Sequence, residues 1–279
     1  MPPAPGAQYI QDNIQNALDE DISSGDLTAK LLPELSVSTA RIITRQSGIL
    51  CGTQWFDGSF MALDPHCDIR WQAGDGDYIR PGQLLCEITG QTRALLTGER
   101  SALNFLQTLS ATATHTRRYV DAVSGLPVKI MDTRKTLPGL RHAQKYAVRM
   151  GGGYNQRAGL FDGILIKENH IAAAGSIAAV MTAALALAPV GVSVQIEVEN
   201  IMQLDEALLA GAKLILLDNF DVEALRFAVK HTAGRAELEA SGGITLSGLR
   251  EIAETGVDRI SIGTLTKDIE ALDLSMRII

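Results

Sequence analysis

Apolar residues at Ile10, Ile14 and Leu18 recur every four positions, a spacing that predicts a short amphipathic helix near the start of the chain. From Val37 to Ile88 the pattern changes to alternation of apolar and polar positions broken by turn residues, which predicts antiparallel strands at 40–44, 49–52, 69–72 and 84–89. A helical period then runs from about 91 to 123, with Leu95, Leu96, Leu103, Leu106 and Leu109 forming its apolar stripe.

After Pro127 the texture becomes one of short apolar runs separated by helical stretches. That βαβα rhythm predicts a parallel sheet with strands at 128–131, 164–166, 194–198, 214–217, 236–238 and 259–262. Their near-continuous aliphatic character predicts strands buried on both faces, inside a barrel or a doubly wound sheet. The two textures meet around residues 110–125, and the last dozen residues read as a return strand or tail packed on the first part.

Composition narrows the class. The chain has 279 residues, 46% of them hydrophobic and 20% charged, which excludes disordered, collagenous and coiled-coil proteins. A formal charge of −7 argues against a partner that is nucleic acid or an anionic membrane and favours small molecules. Cys51, Cys67 and Cys86 are odd in number and lack metal-ligand spacing, so reduced, semi-buried thiols of a cytoplasmic protein are expected. The first residues lack the basic and apolar regions of a secretion signal. Residues 171–195 carry no charge but are interrupted by Gly175, Pro189 and Gly191, so a buried barrel helix leading into a strand is expected there rather than a membrane span.

Polar, charged or glycine residues follow each predicted strand of the second half: Asp132 to Lys135, then Lys167, Glu197 and Glu199, Asp218 and Asn219, Ser241 to Gly243, and finally Gly263 and Thr264. In an α/β barrel those carboxyl ends form one rim, where the active site sits. Between Lys129 and Lys167 the basic residues far outnumber Asp132 and Asp162, so this part of an acidic protein suits a polyanionic ligand. Arg141, Lys145 and Arg149 fall at four-residue spacing and read as a solvated helix face, whereas Arg134, Lys135, Arg157 and Lys167 lie at strand ends or in loops. Glu197 and Glu199 share one strand face and Asp218 lies on the next strand, an arrangement open to Mg²⁺, to sugar hydroxyls or to pairing with the cations. Ser241, Gly242, Gly243, Gly263 and Thr264 follow the last two strands, where barrels hold a phosphate on backbone N–H groups. Gly151 to Gly153 reads as a site of tight packing, and His115 and His170, each without a second metal ligand, as hydrogen-bonded structural residues.

The run Asp132-Thr133-Arg134-Lys135-Thr136-Leu137-Pro138-Gly139-Leu140-Arg141, with Leu165 to His170, Glu197 to Asn200, Leu217 to Asn219 and Ala240 to Gly243, resembles the quinolinate phosphoribosyltransferases. The likeness extends to Gly25-Asp26-Leu27-Thr28 and Thr97-Gly98-Glu99-Arg100 and so covers nearly the whole chain. It implies an incomplete α/β (TIM-like) barrel at about 116–267 joined to an N-terminal α+β sandwich domain at 1–115, with the tail 268–279 on the latter. It implies a decarboxylating transfer of phosphoribose from phosphoribosyl pyrophosphate to quinolinate, giving nicotinate mononucleotide. Mg²⁺ would accompany the donor, without a prosthetic group, in a cytoplasmic homodimer. Carried over by position, Thr133, Arg134, Lys135, Gln156, Arg157 and Lys167 would line the substrate pocket, and Arg100 would come from the partner subunit. Lys135, Lys167, Glu197 and Asp218 would carry the chemistry, with Glu197 and Asp218 also reaching ribose and metal, directly or through water. Ser241, Gly242, Gly243, Gly263 and Thr264 would hold the 5′-phosphate.

One position departs from the family pattern, which has Asn-His-Arg where this chain has Asn155-Gln156-Arg157. Gln donates hydrogen bonds but takes no proton, so weaker or less pH-dependent quinolinate binding is expected than with histidine there. Three rival readings remain: a transferase for another pyridine or pyrimidine acid such as nicotinate, a Schiff-base aldolase built on Lys167, and a carrier module suggested by Gly74 to Leu84. The last lacks the lysine that a carrier hairpin must present, since none lies between Lys30 and Lys129.

Overall fold

The structure, a computed structural model, describes residues 5–279. In chain order its elements are α1 (Ala7–Ile22), β1 (Val37–Thr44), β2 (Gly48–Ile49), α2 (Thr53–Met61), β3 (Asp68–Trp71), β4 (Tyr78–Ile79), β5 (Leu84–Gln91), α3 (Thr92–Ala122) and β6 (Lys129–Met131). There follow α4 (Arg141–Met150), β7 (Gly163–Ile166), α5 (Glu168–Ala174), α6 (Ile177–Leu187), β8 (Ser193–Val198), α7 (Ile201–Leu209) and β9 (Leu214–Asp218). The chain ends with α8 (Val222–Thr232), β10 (Glu237–Ser241), α9 (Leu249–Ala253), β11 (Arg259–Ser261), α10 (Thr264–Lys267) and β12 (Leu274–Ile278). Contacts divide it into two compact units. The first holds the described residues up to Arg117 together with Thr136–Gly152 and Leu265–Ile279, and the second holds Arg118–Lys135 and Gly153–Thr264.

The first unit contains an antiparallel sheet in the order β12-β1-β5-β3. Ala40 and Ile42 of β1 point to the core, opposite Ile88 and Cys86 of β5, while the chain terminus returns as β12 with Met276 opposite Ile42. Leu95, Leu103, Leu106 and Leu109 of α3 are buried against Phe56, Phe60, Leu85 and Trp55 in two clusters, as the stripe requires, but Leu96 lies off that face and is exposed. Ile10, Ile14 and Leu18 are the buried residues of α1. The expected strand at 49–52 is only the two-residue β2, paired with β4, because Gly52 leaves the strand at φ +109 to start α2. Asp75 accepts hydrogen bonds from the N–H groups of Gly52 and Thr53 at 3.0 and 3.1 Å and from the Tyr146 hydroxyl at 2.9 Å, so a distant carboxylate satisfies the open amides of α2. All three cysteines are unpaired and buried. Gly151 packs tightly: a Cβ there would stand 2.4 Å from the Ala113 carbonyl of α3.

Helix α4 corrects one expectation. Arg141 and Arg149 are half-buried and Lys145 is only 4% exposed, so their spacing does not mark a solvated face. Helical spacing locates one face without saying whether it meets water, and the long stems of these cations are covered by protein.

The second unit is a six-stranded parallel sheet in the order β6-β11-β10-β9-β8-β7. Register places Val198, Leu217, Ala240 and Ile260 side by side on one face, all buried. The other face is not apolar as expected, for Glu197, Leu216 and Glu239 align there across three strands. Strand β10 therefore extends beyond the expected strand 236–238 and carries Glu239 and Ser241 within it. The pair α5 and α6 also departs from the reading of a buried helix: of α6 only Ile177, Met181 and Ala184 are buried, and Leu187 is 78% exposed. Among the described residues no single helix is long and apolar enough to cross a membrane, although α5 and α6 together pass a length and composition test and meet at 99°.

Candidate active site

The polar face of the parallel sheet opens on a cavity of about 270 Å³ at the carboxyl ends of the strands. It is lined by Thr133, Arg134 and Lys135 after β6, Gln156 and Arg157 before β7, Lys167 after it, Glu197 of β8 and Ser241 of β10, all expected from the sequence. Gly163, Ile164, Leu165, Ser193, Gln195, Leu216, Glu239 and Ser261 complete the wall and were not expected. The signal for Gln195 and Glu239 is present in the chain: Gln195 lies between Val194 and Ile196 and Glu239 between Leu238 and Ala240, each two positions before Glu197 or Ser241 and so on the same strand face.

Asp132, fully buried after β6, positions one side of the pocket. Its Oδ1 accepts the Gln156 backbone N–H at 2.7 Å and its Oδ2 accepts Asn155 Nδ2 at 2.6 Å, while Tyr154 exchanges backbone hydrogen bonds with Ile130 and Asp132. The segment that carries Gln156 and Arg157 is thereby tied to the end of β6. Arg157 donates to the Gly163 carbonyl at 2.9 Å. Burial and then the nearby Arg134 guanidinium lower its proton affinity from the usual arginine value, yet a guanidinium stays charged. The Asp162 carboxylate works in the other direction, and two guanidiniums near one another at a cavity favour an anionic ligand there.

On the opposite wall Lys167 and Glu197 form an ion pair of 2.8 Å, with Glu197 the more buried partner. His170 Nδ1 accepts the Lys167 backbone N–H at 3.0 Å and closes the start of α5, which gives that histidine a structural role. Glu199, expected to share a strand face with Glu197, lies beyond the end of β8 and is exposed, and it is not part of the cavity wall.

The glycines at the strand ends have steric reasons. A Cβ at Gly263 would come 2.9 Å from Cδ of Lys135, so the lysine stem lies across that glycine. Gly242, at φ +103, leaves room for Asn219, whose Oδ1 would be 2.1 Å from a Cβ there. Ser241 is paired in register with Asp218, and its carbonyl accepts the Asn219 N–H at 3.0 Å. Asp218, Gly242, Gly243, Gly263 and Thr264 thus stand at the same strand ends but are not among the residues lining the cavity. Arg100 is exposed on α3 in the first unit, where it lines a separate cleft with Asn104, Pro138 and Gly139. Among the described residues no three His, Cys, Asp or Glu side chains converge as a metal cage. The donors on offer are the carboxylates of Glu197 and Asp218, on one face of adjacent strands.

A parallel α/β sheet whose strand ends present four cations, two carboxylates and glycine turns has the form of an enzyme for anionic, phosphorylated substrates. Residues 26–110 match the N-terminal domain of quinolinate phosphoribosyl transferase and residues 112–277 match its C-terminal domain. The chain belongs to that family. It is 44% identical to a probable nicotinate-nucleotide pyrophosphorylase [carboxylating] of Bacillus subtilis over 92% of this chain and 89% of the relative. It is 36% identical to quinolinate phosphoribosyltransferase [decarboxylating] 1 of Nicotiana glauca, over 99% and 84%. The solved structure of the nicotinate-nucleotide pyrophosphorylase from Francisella tularensis superposes with a TM-score of 0.95 at 43% identity, covering 98% of this chain and 96% of the other.

Proposed function

We propose that this pocket performs the reaction of its family: phosphoribose passes from phosphoribosyl pyrophosphate to the ring nitrogen of quinolinate, with loss of CO₂, to give nicotinate mononucleotide in NAD biosynthesis. The observation that carries the reading is the gathering of Arg134, Lys135, Arg157 and Lys167 around one cavity at the strand ends. Arg134, Arg157 and Lys167 take the two carboxylates, and the fork geometry of the guanidiniums fixes the ring plane. Lys135, lying over Gly263, serves the phosphate oxygens of the donor, whose 5′-phosphate rests on the glycine turns of 241–243 and 263–264. Glu197 and Asp218 face the ribose.

The chemistry follows from these placements. The pyridine lone pair forms the N–C1 bond as the C1–O bond breaks, and that electron pair leaves with pyrophosphate. Positive charge building on the sugar is stabilised by the carboxylates, and charge on the leaving group by the cations. The quaternised nitrogen then stabilises the electron pair left at the adjacent ring carbon when its carboxylate departs as CO₂, and a proton from solvent completes the product. Holding two polyanions in line contributes about 7 to 11 kcal/mol in favourable cases. Two carboxylates with no nitrogen or sulfur donor suit a hard ion that keeps substrate oxygens and waters, so Mg²⁺ fits at Glu197 and Asp218. It would supply charge neutralisation of the pyrophosphate.

A homodimer in the cytoplasm, each pocket receiving Arg100 from the partner, is part of the same reading. Support for the first point comes from Arg100 being exposed and not among the residues lining this chain's cavity, and for the second from three buried, unpaired cysteines. The catalytic part is the segment 116–267, with 1–115 and the tail 268–279 as its companion domain. An absorbance assay of the purified protein with quinolinate, phosphoribosyl pyrophosphate and Mg²⁺, run beside one with nicotinate, tests the proposal. Product from quinolinate alone is expected; product from nicotinate alone would reassign the base pocket.

A further inference from the structure

Glu239 is 1% exposed, yet it lines the cavity from the middle of β10. Its Oε2 accepts from two amides, Gln156 Nε2 at 2.5 Å and Gln195 Nε2 at 3.0 Å, while Oε1 is buried without a hydrogen-bond partner. Gln156 Nε2 also lies 3.4 Å from Gln195 Oε1. The Gln156 amide nitrogen is therefore drawn toward the protein wall, with Glu239 as its near acceptor. A buried acid in an anion site, with one oxygen unsatisfied, is a poor choice for stability alone and marks a functional constraint.

We propose that Glu239 is a positioning residue for the pyridine substrate. By taking the Gln156 amide onto its carboxylate, it holds that side chain flat against the pocket wall, keeps it out of the volume the ring occupies, and leaves recognition of the substrate carboxylates to the cations. The proposal rests on the functional reading above. It differs in sign from a simple charge effect: removing a negative charge beside a dianion would tighten binding, whereas releasing the Gln156 side chain weakens it.

The test is a double-mutant cycle of Glu239→Leu and Gln156→Ala. It is read in KM for quinolinate, KM for phosphoribosyl pyrophosphate, and the calorimetric Kd of benzene-1,2-dicarboxylate, an unreactive dianion of the same shape. Glu239→Leu offers Gln156 no acceptor and is expected to raise the quinolinate KM and the benzene dicarboxylate Kd about tenfold or more, with the KM of the phosphoribosyl donor within about twofold of wild type. In the Gln156→Ala background the same change should alter Kd by less than about twofold, because the side chain to be held is gone. Glu239→Asp keeps the charge but shortens the reach, so it should also weaken binding, and it serves if Glu239→Leu does not fold. Tighter or unchanged binding, an equal loss in both backgrounds, or a matching rise in both KM values would overturn the inference. A wild-type protein that binds the benzene dicarboxylate without turning over quinolinate would sink the functional reading alone, and the cycle would still be decided from Kd. If the wild type does not bind the benzene dicarboxylate, the inference fails.

Discussion

Asp132 and Gln156 are joined through the main chain: the buried carboxylate oxygen Oδ1 of Asp132 accepts the Gln156 backbone N–H at 2.7 Å. With Oδ2 taking Asn155 Nδ2, one side chain orients the segment that delivers Arg157 to the pocket. Asp132→Asn would turn an amide toward one of these donors and leave buried groups facing like with like. The expected loss is about 1 to 3 kcal/mol in unfolding free energy, with a quinolinate KM raised more than the KM of the phosphoribosyl donor. Urea unfolding and steady-state kinetics on the same preparation check both parts.

Lys135 and Arg134 are exposed loop residues, so their removal should leave the fold intact. Lys135→Ala and Arg134→Ala are each expected to lower kcat/KM by several orders of magnitude while stability stays within about 0.5 kcal/mol of wild type. Gly263→Ala tests the lysine's placement separately. Its Cβ would push on Cδ of Lys135, a flexible stem that moves at little cost, so turnover should fall by about tenfold with almost no change in Tm. Near-wild-type turnover in Gly263→Ala would show that the lysine works from another rotamer.

How much of this was legible in the chain depends on the type of signal. Strand positions in the second half were readable to within a few residues because parallel strands are short aliphatic runs, and the residues just after them gave most of the cavity wall. The polar face was missed because aliphatic runs imply strands buried on both faces: Gln195 lies inside the expected strand 194–198 and Glu239 just beyond 236–238, and in the folded sheet period two carries both into the site. The surroundings of α4 were misread because spacing reports a common face and not what covers it. Asp132 is legible as a polar residue after a strand but its role is not, since no sequence signal shows that Asn155 and Gln156 turn back onto it.

Gln156 also sets the expected pH behaviour. In Gln156→His the imidazole would face Glu239, whose carboxylate favours the protonated ring and raises its pKa. The variant's quinolinate KM should then fall as pH is lowered from about 8 to 6, with the wild-type KM flatter over that range. Parallel pH profiles for the two proteins would remove position 156 from the base pocket.

The partner-donated arginine has a direct mixing test. Arg100→Ala and Lys135→Ala proteins, each nearly inactive, are unfolded, mixed in equal amounts and refolded. If the site takes Arg100 from its partner, half of the dimers are mixed and each has one intact pocket, so about a quarter of wild-type activity should return. If each pocket uses its own chain's arginine, both pockets of a mixed dimer are defective and nothing returns.

Asp57 lies in the first unit, far along the chain from the site residues, and governs stability instead. Burial pushes its carboxyl up to about 6, against which the Trp71 indole N–H, at 2.9 Å, works in the lowering direction, and the Asp75 carboxylate adds a smaller upward push. A carboxyl whose folded pKa exceeds its unfolded value binds more protons in the folded state. Its favourable contribution is present below the usual aspartate pKa and is lost as pH rises to about 6. Asp57→Asn keeps an oxygen for Trp71 and removes the ionisation, so the variant should be more stable than wild type at neutral pH, by about 1 to 2 kcal/mol. The advantage should shrink as pH falls from about 6 toward the usual aspartate pKa and be absent below it, where the wild-type carboxyl is protonated in both states. Urea midpoints for both proteins across that range decide it: an advantage that is constant with pH would mean that the asparagine acts through packing, and no advantage at neutral pH would mean that the carboxylate is already well solvated.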